Sequence, residues 1–115
     1  MTEEVQQFVE TAAAAAADKK GENILALDME GISDFTEAFL IISANSDPQI
    51  KALSASIREA MREKYDRKPF GEDGFPTSQW LVLDYGSLII HIFHANKREL
   101  YALENLWRDA KRTEY

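Results

Sequence analysis

The stretch WLVLDYGSLIIHIF, residues 80–93, decides the fold. Two short runs rich in β-suited residues flank Tyr85-Gly86, so the stretch reads as a hairpin. Side chains on a strand alternate between the two faces of a sheet. With Tyr85-Gly86 as a two-residue turn, Asp84 lies opposite Ser87, Val82 opposite Ile89 and Trp80 opposite His91. One face then collects Leu81, Leu83, Leu88, Ile90 and Ile92, and is aliphatic enough to lie on helices. The other collects Trp80, Val82, Asp84, Ile89, His91 and Phe93. That face is aromatic and partly polar, like the centre of a protein–protein interface. The alternative is that Trp80 and Phe93 pack under the first helix. A three-residue turn is a second option for the register, because tyrosine is unusual where φ must be positive. It would set His91 opposite Leu81 and mix the faces.

Upstream of the hairpin, Glu3 to Lys20 reads as a helix. Val5, Phe8, Val9 and Ala12 share one face, and the alanines from Ala12 to Ala17 favour helix and close packing. Gly21 is the expected stop. Asn23 to Met29 and Glu37 to Ser43 read as strands that pair as neighbours, the second nearly all apolar and so covered on both sides. Asp47 followed by Pro48 predicts a helix N-cap with proline at the first helical position. Ile50, Leu53, Ile57, Ala60 and Met61 then recur with helical period. Asp66 to Ser78 reads as loop, with a short strand at Lys68–Phe70. After the hairpin, Asn96 to Glu99 resembles a capping box. A last helix is predicted to run to Arg112 with Leu100, Leu103, Trp107 and Ala110 as its apolar stripe. The order α-β-β-α-β-β-α predicts an α/β (α+β) fold, a small mixed sheet with about three helices.

A chain of 115 residues is expected to form one domain over 1–115. There are no cysteines, which excludes disulfides, thiolate metal sites and a cysteine nucleophile. Two histidines alone do not make a typical structural zinc site. The net charge of −7 disfavours general binding of RNA or DNA and suits a basic protein partner. Arg58, Arg62, Lys64, Arg67 and Lys68 form a basic cluster, but Glu59, Glu63 and Asp66 interrupt it, so it reads as a solvated helix face rather than a phosphate-binding patch. No apolar run is long enough for a membrane span. The N-terminus resembles neither a signal nor a transit peptide, so a cytoplasmic chain is expected.

Searches for catalysis return little. A lone histidine on a strand, such as His91, is usually structural, and Asp84 stands too far along the strands to be its partner. GEDG at 71–74 lacks the lysine and spacing of a phosphate loop. Ser43 to Asp47 is a polar turn before a helix N-terminus, where an anion could bind. Asp28, Glu30, Asp34 and Glu37 are available for a metal, but no pair has the strand spacing of a nucleotidyltransferase site; Asp28 and Glu30 come nearest.

The chain resembles the ribosomal silencing factor family, also called Iojap-like proteins. The resemblance rests on ILALD at 24–28, FLIISANS at 39–46, DPQIKAL at 47–53, WLVLDYG at 80–86, IIHIF at 89–93 and RELYALENLW at 98–107, in the family's order and spacing. It covers roughly residues 21–109, with 1–20 as an added N-terminal helix. Departures are Ala44 where the family usually has glycine, Thr36-Glu37 where it has Thr-Asp, and Ser87 where it has aspartate. The resemblance implies a nucleotidyltransferase-like fold without the catalytic carboxylates, and no enzyme activity, cofactor or metal. It implies binding to the large ribosomal subunit through its protein fourteen (L14), with little RNA contact and no DNA or membrane. Joining of the small subunit would be blocked sterically when nutrients run short, and a role in large-subunit assembly is also implied. Partner-binding residues expected on this basis are Trp80 as the anchor, Asp84, Tyr85, His91 and Phe93, with Ser43, Ser46 and Gln49 at the polar turn. Two rival readings are a nucleotide-binding enzyme on the same scaffold and a module that closes a homodimer through the Trp80 face.

Overall fold

A computed structural model describes residues 1–73, 79–101 and 108–115. In chain order the elements are α1 (Glu3–Asp18), β1 (Glu22–Asp28), β2 (Ala38–Ala44), α2 (Asp47–Tyr65), β3 (Gly71–Asp73), β4 (Trp80–Asp84), β5 (Leu88–His94), α3 (Ala95–Tyr101) and β6 (Lys111–Glu114). Among the described residues the strands form one mixed sheet in the order β3-β4-β5-β2-β1-β6. The central pair, β2 and β5, is parallel, and every other pair is antiparallel. The α+β architecture is as expected, with the short strand before the hairpin forming β3 at one edge and β6 added at the other.

The sheet has one side under α1 and α2. Ala38, Leu40, Ile42 and Ala44 of β2, Leu88, Ile90 and Ile92 of β5, and Leu81 and Leu83 of β4 meet Val5, Phe8, Val9, Ala12 and Ala16 of α1 and Ile50, Leu53, Ile57 and Met61 of α2. The small alanines bring α1 close to its neighbours, and Ser56 of α2 donates to the Ala15 carbonyl at 3.2 Å. The other side holds a second cluster, Leu25, Leu27, Met29, Phe39, Ile41, Phe93 and Ala110. Both sides of the two central strands are therefore apolar, as parallel strands require.

The hairpin register differs from both sequence options. Trp80 lies opposite Phe93, Val82 opposite His91 and Asp84 opposite Ile89. Four residues, Tyr85 to Leu88, separate the last paired residues, so the ladder is displaced by two. A shift of two keeps every side chain on its face, and only an odd shift exchanges faces. The two face sets expected from the sequence are thus those observed.

Several boundaries move. Ser46, not Asp47, caps α2, because its Oγ accepts from Gln49 N–H at 3.2 Å; Asp47 begins the helix. The short strand falls at Gly71–Asp73 rather than Lys68–Phe70, set by pairing with β4. Asn96 is not a cap: α3 begins at Ala95, and Asn96 N–H donates to His94 Nδ1 at 3.3 Å. The last helix does not reach Arg112, since Lys111–Glu114 pair with β1 as β6. Leu103 and Trp107, and the side chain of Leu100, lie outside the described residues.

The end of α1 shows why Gly21 is there. The left-handed residue is Lys20, at φ 62°, and not the glycine. A Cβ on Gly21 would come within 2.9 Å of Ile42 Cγ2 and 3.1 Å of both the Ala16 oxygen and Leu53 Cδ2. Close approach of α1, β2 and α2 is what requires glycine here. Gly21→Ala is expected to destabilise the chain by about 1–3 kcal/mol through overpacking. Lys20→Gly removes a left-handed side-chain penalty and is expected to stabilise it by up to ~1 kcal/mol. Urea denaturation of the two variants beside the parent checks both signs.

Candidate functional site

The hairpin's second face is open on its β4 side. Trp80, Val82 and Asp84 of β4 and Ile89 of β5 are half-buried there. This face points away from α1, so the indole does not lie beneath the alanine-rich helix. Trp80 stacks on Phe93 with ring centroids 4.9 Å apart. Its Nε1–H donates to His91 Nδ1 at 3.1 Å. At the other end of the strand, Asp84 Oδ1 accepts from Gly86 N–H at 2.7 Å and closes the turn. The result is a rigid column of an aromatic, an aliphatic and an acidic side chain.

Other residues assigned to this patch from the sequence lie inside the fold. Phe93 is 0% exposed and His91 is 7% exposed. They support Trp80 from beneath and do not extend the surface. Strand alternation correctly gave their face, but not that the face is covered over the His91–Phe93 part of β5. Tyr85 is buried on the opposite side, in the cluster with α1 and α2. Burial pushes its hydroxyl up to about 12, with Arg58 pulling it down and Glu72 adding to the rise. Ser43 is buried too, and its Oγ accepts from the Arg98 guanidinium at 3.0 Å.

The polar turn is largely occupied by internal bonds. Ser46 is exposed but caps α2. Gln49 Oε1 accepts from Asn45 N–H at 2.7 Å, while its Nε2 donates to the carbonyls of Lys19 at 3.2 Å and Lys20 at 2.9 Å. One amide thus ties the end of α1 to the start of α2. Among the described residues there is no group of three or more His, Asp or Glu placed to hold a metal. Nor is any helix there long and apolar enough to cross a membrane.

Two features were not read from the sequence. Arg98 reaches back from α3 to the Asn23 carbonyl and the Ser43 hydroxyl, locking the β5–α3 junction against β1 and β2. Only the fold brings these residues together, so no local signal marks them. Phe70 is 79% exposed and lies across the hairpin turn, where a Cβ on Gly86 would meet its Cε2 at 3.0 Å. A phenylalanine in a loop gave no sign of being left uncovered.

Residues 2–115 match the family model described as "Ribosomal silencing factor during starvation". The chain is 42% identical over 105 residues to the ribosomal silencing factor of Bacillus subtilis, covering 91% of this chain and 88% of that protein. It is 34% identical to the chloroplastic Iojap protein of Arabidopsis thaliana, over 93% of this chain and 44% of that longer one. Among solved structures, it is similar to one from Bacillus halodurans at a TM-score of 0.81 and 32% identity, covering 96% of this chain and 99% of that one. A Chromobacterium violaceum crystal structure matches at a TM-score of 0.84 and 26% identity, covering 90% and 85%.

His91 gives the site a pH signature. Trp80 N–H donates to Nδ1, which makes Nδ1 an acceptor and puts the neutral ring's proton on Nε2, an atom buried without a hydrogen-bond partner among the described residues. Burial lowers its pKa from 6.5 to about 4. Between those values the unfolded chain binds a proton that the folded chain refuses. The stability is therefore intact above pH 6.5 and falls as the pH drops toward 4, by on the order of 3 kcal/mol at the limit. Urea midpoints from pH 7 to pH 5 should show that decline, and His91→Gln should flatten it.

Proposed function

The chain belongs to the ribosomal silencing factor family, and from that premise we propose that it represses translation by docking on the large ribosomal subunit through ribosomal protein fourteen. The bound chain covers the face that meets the small subunit and so prevents joining, which calls for contact and no chemical step. It works among the ribosomes of the cytoplasm.

The half-exposed β4 column supports this reading best. Trp80 supplies a large apolar ring at low entropic cost, because stacking on Phe93 and the bond to His91 already fix it. Val82 continues the apolar surface. Asp84 adds a carboxylate at its edge, and the chain's charge of −7 favours approach to a basic ribosomal protein. Phe93 and His91 act as the stiff backing, and Tyr85 and Ser43 hold the strand ends from within the core. Ser46 and Gln49 shape the neighbouring turn, with the exposed Ser46 edge as a secondary contact.

Sucrose-gradient sedimentation with separated subunits tests the proposal. The parent chain is expected to travel with large subunits and to reduce their joining when small subunits are added. A parent chain that stays at the top of the gradient refutes the function. Val82→Lys leaves the Trp80 stack and its hydrogen bond in place while setting a cation in the middle of the column. It is expected to weaken binding by roughly thirtyfold, about 2 kcal/mol, with little change in melting temperature. Undiminished binding by Val82→Lys would exclude the β4 face.

A further inference from the structure

The basic cluster that looks interrupted in the sequence is partly sorted in the fold, with Arg58 and Arg62 on one flank of α2 and Arg67 and Lys68 just beyond its end. Glu59 and Glu63 line a groove between α1 and α2 together with Glu10 and Asp18. Lys64 also turns to that side, with its ammonium over the Tyr65 ring. Arg58, Arg62, Arg67 and Lys68 border instead a second concavity of about 360 Å³, closed by Pro69; its acidic lining among the described residues is Glu59, shared with the first groove. Four cations thus border a small hollow, with Glu59 among them and with Glu72 and Glu4 paired to Arg58 and Arg67, on a protein whose net charge is −7.

Two of these cations are held in place. Arg58 donates to the Ser54 carbonyl and pairs with Glu72 at 3.4 Å. Arg67 lies over the Phe8 ring, 5.3 Å from its centroid, and 4.0 Å from Glu4. Arg62 and Lys68 are exposed and have no ion pair among the described residues. Directly after Pro69 comes Phe70, 79% exposed, its amide bound to the Asp84 carbonyl at 2.6 Å.

We propose that the concavity and the Phe70 ring form an RNA contact, in which the cations take phosphodiester oxygens and Phe70 stacks on an unpaired base. Guanidinium groups match phosphate oxygens in geometry as well as charge. Phe70 follows Lys68 and Pro69 directly in the chain, and an exposed aromatic ring next in sequence to cations is a combination that single-stranded and looped RNA uses. An acidic peptide would answer the charges but has no need of the ring. The inference rests on the large-subunit reading, since the ribosome presents RNA to a chain docked through one of its proteins. The contact is subsidiary, because the net negative charge elsewhere opposes polyanions and keeps the affinity for free RNA low.

The test measures fluorescence anisotropy of a labelled short oligouridine against potassium chloride concentration, beside gradient sedimentation with large subunits. With all four cations on phosphates, log affinity of the parent chain should fall with log salt at a slope of about −3. Arg62→Glu/Lys68→Glu removes two of those contacts without disturbing an ion pair or the core. It is expected to lower oligouridine affinity by at least roughly tenfold and to flatten the slope by about 1.4. Phe70→Ala should weaken binding severalfold with the slope unchanged, which a purely ionic contact would not show. Large subunits should release the charge-reversed chain at lower salt than the parent. No binding of oligouridine by the parent at low salt would overturn the inference, as would equal binding by the variants or equally effective competition by polyglutamate. A parent chain that binds oligouridine but not large subunits would support the RNA contact and overturn the ribosomal reading instead.

Discussion

Parallel pairing of β2 with β5 is the constraint on which the rest depends. Parallel neighbours cannot be joined by a tight turn, so the chain between them must cross a face of the sheet. Here α2 makes that crossing, and it brings α1 down beside it. All seven residues of β2 are buried. Their small members, Ala38 and Ala44, lie under the helices, and Phe39 lies on the opposite side. With both sides committed to apolar contact, the surface for recognition is left to the flanking strand β4 and to the loops at the strand ends.

Much of this was legible along the chain. Periodicity marked α1 and α2, and alternation divided the hairpin correctly. The losses have definite causes. The β6 residues Lys111 to Glu114 are all exposed. Such an edge strand is held by backbone bonds to β1, to which side-chain pattern gives no clue. Caps slipped by one residue because Ser46 and Asp47 are both good acceptors and only the backbone angles choose between them. In the candidate site, Trp80 and Asp84 stood out as partner-facing residues and the fold leaves them half-exposed. His91 and Phe93 carried the same signal yet are buried. A strand's pattern tells which residues share a side, but what covers that side is decided by segments far away in sequence.

Charge is arranged in space in a way that its linear order does not display. Between Arg58 and Lys68 the signs alternate, and their sum suggests nothing. A helix spreads neighbours in sequence around its circumference, so Glu63 faces the α1 groove and Arg62 the hollow, while Glu59 lines both and Arg67 and Lys68 join the hollow from beyond the helix end. An acidic protein can in this way carry one cationic hollow, and its net charge describes neither flank.

The β4–β5 connection also bears on how such chains drift over generations. Because successive side chains alternate, lengthening or trimming this bend by a pair of residues leaves the greasy side greasy and the wet side wet. A single insertion would turn the whole strand inside out, sending Ile90 and Ile92 to the side that now holds His91 and Phe93, and His91 into the helices. Indels at this bend should therefore survive in twos, a parity rule written by the pleat itself and independent of anything the molecule touches.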